Sequence, residues 1–281
     1  MIVAINYADE NFIKSQKYNT KTAYKKGKVD KVIEYSPSDI DLEFRESNKK
    51  ILSYKRGAGL WLWKPYFILK TLNKIEYGDY LFYCDSGAYY TNKVQYLVDI
   101  MELNNEDIMV YELPLISKQW TKGETFKFLD CNEEIYKNSN QILATYFLIK
   151  KTKRSIKFIE EFLDFCCDEK NISYEIFEKT IQNDKSFIAH REDQSIFSII
   201  CRKYNIVPFR EPSQFGDRPW EYMQKGYIYM PKVYMNSNYP QIVASYRKDK
   251  ILKFKVKEFA KKFLLYLNIY NEKKIIKKRM L

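Results

Sequence analysis

The chain holds 281 residues, 46% hydrophobic and 30% charged, which is enough apolar content to bury a core and too much for a disordered chain. Its five cysteines (Cys84, Cys131, Cys166, Cys167, Cys201) show no C-x-x-C spacing and are odd in number, which argues against a disulfide framework or zinc ribbon and for a reducing compartment. Residues 247–281 carry 13 basic and 3 acidic groups, +10 of the total +12, so the body is nearly neutral and no basic nucleic-acid groove is expected there.

In chain order, Ile2–Tyr7 is an apolar run fit for a buried first strand, and the opening MIVAINYADENF has neither the basic start nor the apolar core of a signal peptide. Asn11–Tyr24 reads as a polar helix and Lys31–Tyr35 as a second strand. SPSDIDLEF opens a helix with Ser36 or Ser38 as its cap. In WLWKPYFILKTLNKI, Pro65 suits a first helical turn, and Phe67, Ile68, Leu72 and Ile75 give an apolar face. Gly78-Asp79 breaks that helix, and YLFYC reads as a strand buried on both sides. Met109–Leu113 and Ile142–Ile149 are further strand candidates, and Ser155–Cys167 and Asp193–Tyr204 further helices. Residues 212–240, with prolines at 212, 219, 231 and 240, are loop-rich. Strands alternating with helices predict an α/β domain over 1–246 with a mostly parallel sheet flanked by helices. No run approaches the roughly 18 apolar residues of a membrane-spanning helix.

The tail, 247–281, predicts a basic amphipathic helix. Leu252, Val256, Phe259, Phe263 and Leu267 recur on one narrow stripe, with Lys250, Lys253, Lys257 and Lys261 on a separate arc. Two readings stay open: the stripe closes the core, or the helix lies on an anionic membrane surface, with NEKKIIKKRML adding charge.

Four segments hold candidate chemistry. In YLFYCDSGAYY, Asp85 ends a buried strand before a Ser86-Gly87 turn, where open α/β sheets bind ligands; it serves chemistry there or caps the next segment. In RGAGLWLWKP, Gly57 and Gly59 let backbone approach a ligand, and Arg56 or Lys64 can meet phosphate. Trp61 and Trp63 pack or line a cleft. Neither G-x-G-x-x-G nor a P-loop is present. In HREDQSIFSII, His190, Asp193 and Gln194 cluster at a helix start, either binding an anionic ligand or, for Asp193, capping the helix. His190 is the only histidine, so a His-cluster metal site is excluded. In WTKGETFKFL, Trp120 and Lys122 form a sugar-stacking and phosphate-contacting loop or a solvated turn.

Taken in order, RGAGLWLWKPYFILKTL, GDYLFYCDSG, WTK, QILATYFLIKK, HREDQSIFSII and PSQFG resemble bacterial capsule and O-antigen glycosyltransferases of the GT-A type, over roughly residues 56–216. The resemblance implies a nucleotide-sugar donor at the carboxyl edge of the sheet, UDP-galactose or UDP-glucose first, and a lipid-linked or growing surface glycan as acceptor. It implies that Asp85 sits near the diphosphate and a Mn2+ or Mg2+ ion, with Asp193 as catalytic base or close carboxylate. Arg56, Lys64, Ser86, Trp120, Lys122, Gln141, His190 and Gln194 are implied as donor contacts. The chain departs from the family's Asp-x-Asp, reading Asp85-Ser86-Gly87, so the second carboxylate is missing. The expected protein is a hexosyltransferase at the inner face of the plasma membrane, with no nucleic-acid partner. The alternative is a non-catalytic module binding RNA or an acidic surface through its tail.

Overall fold

The computed structural model describes residues 1–246 and 251–274. Its strands are β1 (Ile2–Tyr7), β2 (Lys31–Tyr35), β3 (Tyr80–Cys84), β4 (Ala88–Tyr90), β5 (Ile108–Met109), β6 (Glu112–Ile116), β7 (Asn140–Ile142), β8 (Tyr146–Lys150) and β9 (Val243–Ser245). The helices used below are α1 (Ile13–Thr22), α2 (Trp63–Leu72), α3 (Gln95–Leu103), α4 (Gly123–Phe128), α5 (Lys153–Cys167), α6 (Glu192–Lys203) and α7 (Ile251–Tyr266).

The central sheet has the order β2-β1-β3-β8-β5. β1 pairs in parallel with β2 and β3, while β8 runs antiparallel to both β3 and β5. Four of the five strands therefore point one way, and helices cover both faces, as an α/β chain with buried strands requires. Alternate residues sort onto the two faces. Val3, Ile5, Leu81, Tyr83, Phe147 and Ile149 pack with Phe67 and Ile68 of α2, Phe158 and Phe162 of α5 and Phe197 of α6. Ile2, Ala4, Phe82, Cys84, Tyr146 and Leu148 pack with Leu97 and Met101 of α3. By the same alternation, the residue after β3, Asp85, belongs to the face that carries α2 and α6.

Two expected strands are interrupted. Ile142–Ile149 divides into β7 and β8, because Leu143–Thr145 leave the ladder: the Ala144 carbonyl accepts from Lys64 and the Thr145 carbonyl from the Asp85 amide. Met109–Leu113 divides because β5 stays in the central sheet while β6 pairs with β7. The chain after Tyr35 starts with a single 3-10 turn, Pro37–Asp39, in which the Ser36 amide donates to Asp39. Residues 212–240 are loop apart from the turn Pro219–Tyr222.

The expected boundary at 246/247 falls at 247–250, and most of the terminal basic cluster at 275–281, both outside the described residues. α7 meets the body through Phe254, which packs on Tyr89 and Tyr246, and through Arg218–Glu258 and Lys261–Glu221 ion pairs of 2.5 and 2.6 Å. The predicted stripe is not what packs. Leu252, Val256, Phe259 and Phe263 are 77, 63, 76 and 57% exposed, because Phe254, off that stripe, takes the buried position. No described helix is long and apolar enough to cross a membrane.

Candidate active site

β1 and β3 are adjacent and parallel, so the loops leaving their carboxyl ends meet at one edge of the sheet. A cavity of about 890 Å³ opens there. Its walls come from the end of β1 and the segment after it (Tyr7, Asp9, Phe12), from the turn Lys55–Ala58 with Trp61 and Trp63, and from Asp85–Gly87 with Tyr246. The Ser86 hydroxyl donates to the Tyr7 carbonyl at 2.5 Å and so ties the two strand ends together. Tyr7 stacks on Trp63 with ring centroids 3.8 Å apart, giving the cavity an aromatic side.

Asp85 is the link between cavity and core. The Tyr83 hydroxyl, on the same face one alternation earlier, donates to Asp85 Oδ1. Lys64 Nζ lies 4.0 Å from that oxygen and donates to Asp193 Oδ2 at 2.5 Å and to the Ala144 carbonyl at 3.0 Å. Lys64 and Asp193 are buried, at 3 and 6% side-chain exposure, whereas Asp85 keeps 28%. Burial pushes the Asp193 carboxyl up to about 6, and Lys64 holds it back from rising further. Burial works against the Lys64 ammonium, yet Asp193 and then Asp85 outweigh it and raise its pKa. Lys64 is therefore a charged bridge between a carboxylate on the cavity wall and one behind it.

The RGAG segment forms a left-handed turn. Gly57, Ala58, Gly59, Leu60 and Trp61 all have positive φ, from +50° to +98°, at a cost of about 1–2 kcal/mol for each non-glycine residue. A Cβ on Gly57 would sit 2.3 Å from the Trp61 ring, and one on Gly59 2.9 Å from Leu52 Cα. Trp63 Nε1 donates to the Gly57 carbonyl at 2.9 Å and helps to hold the turn. Arg56, just before it, lines the cavity, pairs with Glu192 at 2.5 Å and lies 5.9 and 5.8 Å from the Trp61 and Tyr174 ring centroids.

Of the residues singled out from sequence, Arg56, Asp85 and Ser86 line the cavity, and Lys64 and Asp193 stand directly behind Asp85. The expectation that Lys64 meets phosphate is corrected, since its ammonium is enclosed by Asp193, Asp85 and the Ala144 carbonyl. Asp193, expected as a base at the reacting centre, is absent from the cavity wall and pairs with Lys64 instead. Gln194 donates to Gln141, which donates to Thr121, both at 3.1 Å; this chain packs α6 against β7 instead of facing the cavity.

The WTK loop is neither a sugar platform nor a solvated turn. Trp120 is buried under the Arg191 guanidinium at 3.8 Å. Lys122 is fully enclosed, paired with Glu124 at 2.6 Å and bonded to the Glu175 carbonyl at 2.7 Å. His190 is buried and accepts from the Lys122 amide; burial, then Lys122, depress its pKa to about 3, so it is neutral at ordinary pH. Sequence reading missed Tyr7, Asp9, Phe12, Lys55 and Tyr246. The rule that ligands bind beyond strand carboxyl ends, applied to β1 as it was to β3, finds the first three.

A divalent ion at Asp85 would have to share that carboxylate with the Lys64 ammonium. Among the described residues no three His, Cys, Asp or Glu side chains are grouped to hold one, and the carboxylate at the motif position already faces an ammonium 4.0 Å away.

No family model matches the chain, and no curated protein matches it. Among solved structures it is similar to the galactosyltransferase LgtC in complex with donor and acceptor sugar analogues, at 13% identity over 88% of this chain and 87% of that one, with a TM-score of 0.47. It is similar to the bifunctional glycosyltransferase WbbM at 12% over 89% and 46%, with a TM-score of 0.48. Mouse xyloside xylosyltransferase 1 follows at 9% over 87% and 97%, with a TM-score of 0.45.

Proposed function

We propose that this chain is a glycosyltransferase that moves a hexosyl group from a nucleotide diphosphate sugar to a lipid-linked or growing surface glycan. The reading places it among bacterial capsule and O-antigen enzymes, with UDP-galactose or UDP-glucose as the first donors to test. The observation that carries it is the cavity at the carboxyl edge of the sheet, whose polar floor is Asp85 backed by the Lys64–Asp193 pair. The motifs RGAGLWLWKP, GDYLFYCDSG and HREDQSIF converge there, and the aromatic side formed by Tyr7 and Trp63 suits a flat base or a sugar ring.

In the proposed step the bond from the anomeric carbon to the β-phosphate oxygen breaks, and its electron pair leaves on that oxygen. The anomeric carbon bonds to the acceptor oxygen, and the acceptor's proton passes to Asp85. Lys64, held by Asp193, keeps the Asp85 carboxylate oriented and ionised.

The proposal includes the tail. α7 presents Leu252, Val256, Phe259 and Phe263 outward, and exposed apolar side chains interleaved with lysine suit the interface of an anionic bilayer. Docking there, at the inner leaflet, brings the cavity to a lipid-linked acceptor.

Thermal-shift screening against UDP-, GDP-, CMP- and dTDP-sugars, followed by turnover of the stabilising donor, tests the reading. Stabilisation by one sugar nucleotide with release of its diphosphate is expected. No shift with any of them, together with salt-sensitive RNA binding, would favour a binding module instead.

A further inference from the structure

A departing diphosphate gathers negative charge on its β-phosphate oxygen, and transfer is slow unless a cation meets it. Resting on the reading above, we propose that Arg56 and Lys55 fill this role, so that transfer proceeds without a divalent metal.

Three observations carry the assignment. The first is competition at the motif carboxylate: the Lys64 ammonium already lies 4.0 Å from Asp85 Oδ1 and would share that oxygen with any ion, and the cavity wall adds only Asp9 as a further carboxylate. The second is that the cavity has its own cations. Lys55 and Arg56 both line it, and Lys55 makes no ion pair with any described residue. The third is that Arg56 is positioned beforehand. Glu192 takes its Nε and Nη2, and the Trp61 and Tyr174 rings flank its guanidinium. Nη1 makes no hydrogen bond to a described residue and remains for a phosphate oxygen, the planar fork being suited to two acceptors at once. The left-handed turn that begins at Gly57 fixes where the chain carrying these two side chains leaves the cavity wall.

Electrons and atoms balance with these residues alone. The electron pair of the broken bond stays on the β-phosphate oxygen, whose added charge Arg56 and Lys55 neutralise, and no oxidant or further reactant enters.

Titration calorimetry with UDP, GDP and dTDP, each in EDTA and each in Mn2+, tests this independently of turnover. For whichever nucleotide binds, Kd is expected to differ by less than about threefold between the two conditions. Arg56→Ala is expected to weaken binding about tenfold and Lys55→Ala with Arg56→Ala about a hundredfold; Lys55→Ala alone leaves the melting temperature unchanged, whereas Arg56→Ala lowers it because the buried Glu192 carboxylate loses its partner. Arg56→Lys should restore part of the loss. Binding only in Mn2+, or wild-type affinity in the double variant, overturns the assignment while leaving the glycosyltransferase reading standing. No binding of any nucleotide under either condition overturns both.

Discussion

Asp85 is the residue on which the proposed chemistry turns. Asp85→Asn keeps the side-chain volume and removes the charge. Turnover is expected to fall on the order of a hundredfold, the scale of losing a key electrostatic group, with the melting temperature unchanged; full turnover would remove Asp85 from the reaction. Asp193 gives a pH signature. Its carboxyl titrates at about 6, and protonation releases Lys64, so kcat/KM should climb with pH through about 6 and lose that limb in Asp193→Asn. Stability moves the other way. Folding raises this carboxyl from 3.8, so its contribution is whole below pH 3.8 and is lost as pH rises through about 6. Denaturant titrations of wild type and Asp193→Asn across that range separate the two effects. Asp85 was legible in the sequence because a strand end and a flexible turn are local facts. The burial of Trp120, Lys122 and His190 was not legible, because the Glu175 carbonyl that encloses Lys122 lies 53 residues away and reaches it through tertiary packing.

At the scale of elements, the left-handed turn and the Lys122–Glu124 pair each make a test. Gly57→Ala would push a methyl into the Trp61 ring, and it is expected to weaken donor binding along with stability, read by calorimetry beside a melting curve. Glu124 accepts the amides of Phe177 and Glu178 at 3.1 and 2.8 Å, so it pins the long loop after α5. Lys122→Met leaves that carboxylate buried and uncompensated, at a cost of about 3–5 kcal/mol. Adding Glu124→Gln should return part of it, and limited proteolysis within 174–189 should follow the same order. Strands β1, β2 and β3 were legible from short apolar runs with turn signals. The division of 142–149 was not, because the residues that leave the ladder do so to supply carbonyls to Lys64 and the Asp85 amide, partners more than 55 residues away.

For the whole molecule, alternation of strands and helices was enough to give an α/β chain with a mostly parallel sheet, while the reversed direction of β8 depends on pairing that no single segment encodes. The tail divides in the same way. Its helix was legible from periodicity, but which side packs was set by Phe254 finding Tyr89 and Tyr246. Phe259→Asp with Phe263→Asp is expected to lower partitioning onto anionic vesicles at low salt without changing nucleotide binding, since neither ring is buried. Equal sedimentation of both proteins with vesicles would reject the docking surface.

The aromatic side of the cavity has an optical consequence. Trp61 and Trp63, two of the four tryptophans, line the cavity, whereas Trp120 is buried under Arg191. A nucleotide base entering beside Tyr7 and Trp63 would alter the emission of this pair first. Occupancy of the site therefore becomes readable in real time from unlabelled protein, with Trp63→Phe as the control that dims the signal.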